Sequence, residues 1–471
     1  MIALAAHPIL TLPQLAQLSG GDLVAREVPA APDRREAWLQ SGVDGVSIDS
    51  RTLSPGELFV PLPGTHTDGH QFLEQAFAQG AAAALCARER YAALERREPG
   101  PLIVVDDVTV GLQRIARRFR EGWHGLLFGV TGSVGKTTTK DLVAAVLSTR
   151  TPTLKTEGNL NNHWGVPLTL LRLRAEHGTA VVEMGTNHPG EIAALAVLAR
   201  PNRAVITGAG SAHLEHFGSL DAIAREKASL AAVLGAEDTL FVSADSPRLL
   251  AALAGARVRR VTYGLERGAD VRPSAIESRG EEGSRVEVEG FPPLLLPLIG
   301  LHQVTNALAA LAVAREQGVD PAAAVSAIAA YRPAYGRMEV RHARGATLLV
   351  DCYNANPESA AAALTTLAEW PRATRRIALL GDMLELGPAA GDLHRQTGAA
   401  VRAAELWAVG AHARDYVAGA TAARIPARSF AEVAEAAGAL RAALEPGVVV
   451  LLKASRGARL ERVLEGIEEE T

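Results

Sequence analysis

The chain has 471 residues, 48% of them hydrophobic and 21% charged, a globular composition too long for one ordinary core. The formal net charge is −4 with acids and bases interspersed, which excludes a global attraction to nucleic acid or anionic membrane and leaves any anion to a local site. Two cysteines, Cys86 and Cys352, could form one disulfide, but so sparse a count reads as a reducing compartment. No stretch approaches the roughly 18 uninterrupted apolar residues of a membrane span, and the expected location is the cytoplasm. Of the 48 basic residues only five are lysines, Lys136, Lys140, Lys155, Lys227 and Lys453. A sequence that writes arginine for generic cations keeps lysine where a point-charge ammonium or a nucleophilic amine is needed.

The opening stretch lacks the basic start of a secretory signal, and His7 and Pro8 interrupt its apolar run; it reads as the approach to a first helix with Thr11 as N-cap. Val46–Ile48, Leu58–Leu62 and the loop Pro63–His70 suggest a small mixed α/β unit, ending near the strand Leu102–Val105. Short apolar runs then alternate with Ala/Leu-rich helical segments: Leu126–Val130, Ala180–Glu183, Ala204–Thr207 and Leu240–Val242, the pattern of βα units in a parallel sheet. Residues 258–298, rich in Val, Arg, Glu and Gly, suggest an antiparallel excursion. A second change of texture comes at Tyr331–Arg337, and the alternation resumes with Thr347–Val350, Ile377–Leu380, Leu406–Val409 and Val448–Leu452. The fold class is α/β, with boundaries near 104 and 333 and neither a short-period repeat nor a low-complexity tail.

The strand Leu126–Val130 runs into Thr131, Gly132, Ser133, Val134, Gly135, Lys136, Thr137 and Thr138, followed by a helical segment from Lys140 to Thr149. Glycines let backbone N–H groups approach phosphate oxygens, a helix N-terminus adds positive potential, and Lys136 supplies a point charge. Thr137 follows the lysine, where a hydroxyl can ligate Mg²⁺. Val130 stands where the longer phosphate-loop pattern has glycine, so this is a compact version.

Glu183 ends a strand, where a phosphate-loop enzyme needs a second Mg²⁺ ligand or a water orienter. His213, past the strand Ala204–Thr207, is a further ligand candidate, although a loop histidine taken alone is more often structural. Lys227 reads on its own as an exposed helix lysine. As an ammonium it would repel Mg²⁺; as a carbamate it would be an anion. Lys140 and Lys155 have no derivable role and read as surface residues.

These segments together resemble the Mur ligases, the ATP-dependent amide-forming enzymes of peptidoglycan precursor synthesis, and within them the branch that adds D-alanyl-D-alanine. The resemblance runs in order through Asp49–Arg51, Gly64 with Asp68–His70, Thr131–Thr139, Gly158–Asn162 with Gly165–Leu168, Glu183–Glu191, Ala212–Gly218 and Lys227. It continues through Gly300, His302 and Asn306, then Gly336–Met338, Asp351–Pro357, Leu380–Gly387 and Lys453–Arg456. It implies a small mixed α/β domain over residues 1–104 for the UDP end of the substrate. A central ATP-binding domain with a largely parallel sheet would follow over 105–332, and a Rossmann-like domain over 333–471.

The same resemblance implies that Thr137, Glu183 and His213 hold Mg²⁺ and that Lys227 is carbamylated, with Lys136, Lys227, Glu183 and His213 as the catalytic group. It gives His302 and Asn306 to the adenine, and Arg337, Asp351 and Asn354 to the ribose and phosphate side. Asn159, Asn161, Asn162 and Asn356 look like substrate-side contacts, and Ser50 and Arg51 would meet the uridine diphosphate. The implied partners are ATP, a UDP-linked muramoyl tripeptide and D-alanyl-D-alanine, with a monomeric enzyme and neither nucleic acid nor membrane insertion. One departure concerns Arg456: the family's Lys-Gly-Ser-Arg is written Lys453-Ala-Ser-Arg456 here, and alanine resists the positive φ that glycine adopts. A sibling ligase adding another amino acid, a folylpolyglutamate synthase and a nucleotide-driven binding protein are the competing readings.

Overall fold

A computed structural model describes residues 10–25, 36, 39–64, 67–94, 99–333, 335–465 and 467. His7 and Pro8, two residues of the loop Pro63–His70 and Ala334 within Tyr331–Arg337 lie outside these. The chain divides into two compact units: Met1–Gly129 with Thr151–Thr186 and Glu191–Arg203, and Val130–Arg150 with Asn187–Gly190 and Ala204–Thr471.

The first unit opens on the helix Leu12–Ser19, where Thr11 is the N-cap the sequence suggested. The Thr11 hydroxyl accepts the Gln14 amide and Gln14 Oε1 accepts the Thr11 amide, a reciprocal capping box. Five strands form a sheet: β1 (Asp22–Val24), β2 (Gly45–Ser47), β3 (Glu57–Phe59), β4 (Ala83–Ala87) and β5 (Leu102–Val105), in the order β1-β5-β4-β3-β2. Only β1 is antiparallel to its neighbour, so the expected small mixed α/β unit is present. The predicted strand Leu58–Leu62 stops at Phe59: Val60 still donates to the Ser47 carbonyl at 2.8 Å, but Pro61 has no N–H to extend the ladder.

Strand β6 (Leu126–Thr131) leaves this unit at Gly129 and continues into the second at Val130. The first unit also holds β7 (Thr153–Lys155) and β8 (Thr179–Glu183), paired in parallel. The guanidinium of Arg120 is buried against the end of the helix Glu191–Ala199. It donates to the carbonyls of Ala199 and Arg200, each at 2.7 Å, closing groups the helix leaves open.

In the second unit, β10 (Thr239–Ser243), which follows β9 (Arg203–Ile206), pairs in parallel with β11 (Arg259–Tyr263). Then β12 (Pro273–Ser278), β13 (Ser284–Val288) and β14 (Leu294–Leu296) make a separate antiparallel sheet, the excursion expected within 258–298. The phosphate-loop helix starts at Lys136, four residues before the expected Lys140, and runs to Ser148 against the helix Leu301–Glu316.

The last sheet comprises β15 (Glu339–Ala343), β16 (Ala346–Asp351), β17 (Arg375–Leu380), β18 (Glu405–Val409), β19 (Ala427–Phe430) and β20 (Val448–Lys453), in the order β15-β16-β20-β17-β18-β19. All neighbours are parallel except β15 with β16. Alternate residues face opposite cores: Leu349, Ala378 and Leu451 pack with Leu364 and Tyr416, while Leu348, Ile377 and Leu452 pack with Leu440 and Val463. A sheet covered on both faces explains why these strands read as continuous apolar runs. Among the described residues no helix is long and apolar enough to cross a membrane.

Candidate functional site

Glycine is required twice in the loop that follows β6. Gly132 has φ 149° and a Cβ there would lie 1.9 Å from Thr207 Oγ1; Gly135 has φ 83° and a Cβ would lie 2.3 Å from Asn306 Oδ1. The neighbouring segment after β9 holds the loop in shape. The Ser133 amide donates to the Gly208 carbonyl at 3.0 Å, and the Gly210 amide donates to Ser133 Oγ at 2.9 Å. Lys136 folds back over the loop, its ammonium donating to the Gly132 carbonyl at 2.8 Å.

The helix that starts at Lys136 gathers further expected residues. Arg337 Nη2 donates to Thr137 Oγ1 at 3.1 Å, and the same guanidinium lies over the Tyr353 ring, 4.1 Å from its centroid. Arg456 faces that ring too, at 5.6 Å. Asn306 is buried with its amide engaged: Thr139 Oγ1 donates to Oδ1 at 3.1 Å, and Nδ2 donates to Gln303 Oε1 at 2.9 Å. His302 lies in the first turn of the helix Leu301–Glu316 that carries Asn306, and burial lowers its pKa, so the ring is neutral at pH 7.

Asp351 and Asn354 are drawn together by a residue the site prediction omitted. Lys453, 2% exposed, sets its ammonium 2.8 Å from Asp351 Oδ2 and donates to the Asn354 carbonyl at 2.6 Å. Its rarity as a lysine was the signal available for it. The Lys453–Arg456 loop does not need positive φ at Ala454, whose methyl is fully buried in the space that Gly381 leaves open. The alanine is accommodated, and Arg456 extends from an ordinary backbone.

His213 occupies a left-handed conformation, φ 61°, at the start of the short helix Leu214–Phe217, and its Nδ1 lies 2.5 Å from Glu385 Oε2. The contact with His213 holds the Glu385 carboxyl below its ordinary pKa. The rings of His188 and His216 lie 4.4 Å apart. Lys227 sits on the helix Leu220–Ala228 as anticipated, but it is not exposed: 1% of it meets solvent. Lys140 is likewise buried, beside Asp141 at 3.3 Å, which corrects the surface reading; Lys155 is exposed as expected.

Glu183 lies in the first unit. Its Oε1 accepts Asn161 Nδ2 at 2.8 Å, while the buried Oε2 has no hydrogen-bond partner among the described residues. A desolvated carboxylate oxygen left this way fits a cation ligand. Asn159 is exposed, and Asn162 Oδ1 accepts the amides of Trp164 and Gly165. Asn162 also lines a cavity of about 90 Å³ with Gln113, Gly185 and Glu191. Asn356 has a structural task, its Oδ1 accepting the Ser359 amide at 2.8 Å as N-cap of the helix Pro357–Ala368. Ser50 donates to Gln75 Oε1, and Arg51 pairs with Asp49, whose carboxyl it pulls down to about 2. Cys86 and Cys352 are separate buried free thiols, with burial raising the first to about 11 and the second to about 12, so neither is a ready nucleophile.

Comparison with known proteins sets this geometry among relatives. Residues 42–120 match the profile described as the Mur ligase family, catalytic domain; 130–314 match the Mur ligase middle domain; 336–456 match the Mur ligase, glutamate ligase domain. Proteins named UDP-N-acetylmuramoyl-tripeptide–D-alanyl-D-alanine ligase are similar along nearly their whole length. The one from Escherichia coli is 34% identical over 467 residues, covering 98% of each chain. That from Bacillus subtilis is 34% identical over 444 residues, covering 92% of this chain and 94% of the other. Among solved structures, MurF from Acinetobacter baumannii matches with a TM-score of 0.87 at 30% identity, over 98% of this chain and all of that one. MurF ligase from Thermotoga maritima in complex with ADP matches with a TM-score of 0.79 at 28% identity, over 90% of this chain and 97% of the other.

Proposed function

This chain belongs to the Mur ligase family, and on that premise we propose that it joins D-alanyl-D-alanine to the terminal carboxylate of a UDP-N-acetylmuramoyl tripeptide, using ATP, in peptidoglycan precursor synthesis. The observation that carries the reading is the phosphate loop itself. Two glycines are forced by close neighbours, a lysine stands at the helix start, and a guanidinium rests on the adjoining threonine hydroxyl. The relatives named for this activity, matched end to end, support the same substrates.

A carboxylate is a poor electrophile. Transfer of the ATP γ-phosphoryl group to one carboxylate oxygen of the tripeptide gives an acyl phosphate and ADP. The dipeptide amine attacks the acyl carbon, a proton leaves the nitrogen, and phosphate departs from the tetrahedral intermediate. Lys136 and the loop amides neutralise charge on the transferring group, and Arg337 adds to this, a reading supported by its bond to Thr137. Mg²⁺ when bound adds Lewis-acid charge neutralisation. Thr137, Glu183, His213 and a carbamylated Lys227 would hold it, and Glu183 Oε2, buried and without a hydrogen-bond partner among the described residues, suits that role. Ser50 and Arg51 meet the uridine diphosphate, Asn159, Asn161 and Asn162 the sugar–peptide side, His302 and Asn306 the adenine, and Asp351 and Asn354 the ribose and phosphate side. Asn356 acts here through the helix it caps. The assignment places domain limits at 104 and 333 and describes a monomeric enzyme of the cytoplasm.

Purified protein, UDP-linked tripeptide, D-alanyl-D-alanine and ATP should release phosphate only when all are present. Lys136→Ala should abolish ligation while leaving UDP-substrate binding measurable; full ligation in that variant would refute the assignment. Phosphate release with a single amino acid in place of the dipeptide would point to a sibling ligase. For Lys227, activity should depend on CO₂, and small carboxylates should restore part of it to Lys227→Ala. An unimpaired Lys227→Arg would remove the carbamate.

A further inference from the structure

Ser211, 3% exposed, presents two donors to one carboxylate. Its amide donates to Glu358 Oε1 at 3.0 Å and its hydroxyl to Oε2 at 2.6 Å. Carboxylate-accepted bonds of this length are among the stronger ones available to a loop. The preceding residue makes room for them: a Cβ on Gly210 would lie 2.8 Å from Glu358 Cδ. One residue before Ser211 the same loop meets the phosphate loop, where the Ser133 hydroxyl donates to the Gly210 carbonyl at 3.0 Å and accepts the Gly210 amide at 2.9 Å. The Ser133 amide closes the arrangement on the Gly208 carbonyl. Glu358 therefore stands at one end of a bonded chain, through Ser211 and Gly210, whose other end is Ser133.

Position on the first turn of the helix Pro357–Ala368 favours an acid at 358 through the helix dipole, whatever it touches. That preference does not explain why both oxygens are turned onto Ser211. Nor does a general tie between elements, because the bonds fall on the residue next to the one that braces Ser133. We infer that Glu358 is a positioning residue for nucleotide binding: it fixes Ser211, and through it the Gly208–Gly210 segment that shapes the loop around Ser133. Glu358 also follows the Asn354–Pro357 segment directly, so one carboxylate links the nucleoside side of the site to its phosphate side. The inference rests on reading Thr131–Thr138 as the nucleotide loop.

The test is ADP binding by the full-length protein, measured by calorimetry, with the unfolding midpoint recorded for each variant. Glu358→Ala should weaken ADP about tenfold, equivalent to about 1.4 kcal/mol, with the fold intact. Glu358→Gln, which can still accept one Ser211 donor and donate to its hydroxyl, should stay within about threefold of the starting protein. Ser211→Ala should also weaken ADP. The double variant should be little worse than Glu358→Ala alone, because both changes cut one chain. Unchanged ADP affinity in folded Glu358→Ala, or fully additive losses, would overturn the proposal; if Glu358→Ala does not fold, unchanged affinity in Ser211→Ala does so. Phosphate release fails separately: a protein that binds ADP as described but does not ligate D-alanyl-D-alanine sinks the ligase reading and leaves this one standing.

Discussion

Arg337 serves two partners with one guanidinium, donating to Thr137 Oγ1 while its face lies on the Tyr353 ring. A planar cation can stack flat on a ring while donating within its own plane, a geometry that a compact ammonium does not offer. Arg337→Lys should therefore behave like Arg337→Ala, each raising the KM for ATP about tenfold, and steady-state kinetics would reveal a lysine that rescues. Histidine 394 makes a different demand. Its buried ring accepts the Met383 amide at Nε2 and donates to the Ala390 carbonyl from Nδ1, an arrangement open only to the neutral form. Burial depresses its pKa below the ordinary 6.5. The unfolded chain thus binds the proton more readily. The stabilisation is complete above pH 6.5 and is lost as pH falls from there through the folded value. Urea unfolding between pH 7.5 and about 5 should show a shallower pH slope for His394→Leu than for the unmodified chain; an equal slope would contradict this account.

Element ends show how the sequence encodes its own boundaries. Asn356 and Ser359 cap the helix Pro357–Ala368 reciprocally. Asn356→Ala should cost about 1 kcal/mol and Asn356→Ser far less, as read by urea denaturation. A large loss of ligation in a stable Asn356→Ser variant would instead mark direct substrate contact. Arg120→Met should destabilise by about 2–3 kcal/mol, since the buried Ala199 carbonyl and the part-buried Arg200 carbonyl lose their donor. The long central strands were legible because burial on both faces writes them as unbroken apolar runs, as in Val448–Lys453. Strand β4 was missed because Ala-Ala-Leu-Cys-Ala carries little β-preference and is fixed by its neighbours. Strands β1, β7, β15 and β19 are sheet edges, short or part-polar, with no apolar period to announce them. The phosphate loop was legible because its chemistry is contiguous. Glu358 and Glu385 were not, for each meets a partner more than a hundred residues away in sequence, and the Tyr353 shelf joins the nearby Arg337 to the distant Arg456.

For the molecule as a whole, ligand binding and folding are one equilibrium. An ADP concentration of about 100 times Kd should add about 2.7 kcal/mol to the stability of the native state. Lys136→Ala should lose most of that gain, which a thermal-shift series in ADP would record. The sheet β15–β20 has a core on each face and its own closed set of strand pairings. Substitutions inside it should therefore be read first through stability and only then through turnover.

Just past the ends of two strands of that sheet, β17 and β20, lies a packing constraint. The methyl of Ala454 lies where a Cβ on Gly381 would come within 2.9 Å of it, so the two positions share room for one methyl group. Gly381→Ala should cost about 1–3 kcal/mol in this chain and much less once Ala454 is glycine, which urea unfolding of the single and double variants would measure. The chain as it stands carries its one methyl at 454, and a second at 381 adds that strain. A methyl moved from 454 to 381 therefore meets the least strain when glycine stands at both positions in between, an order set by packing.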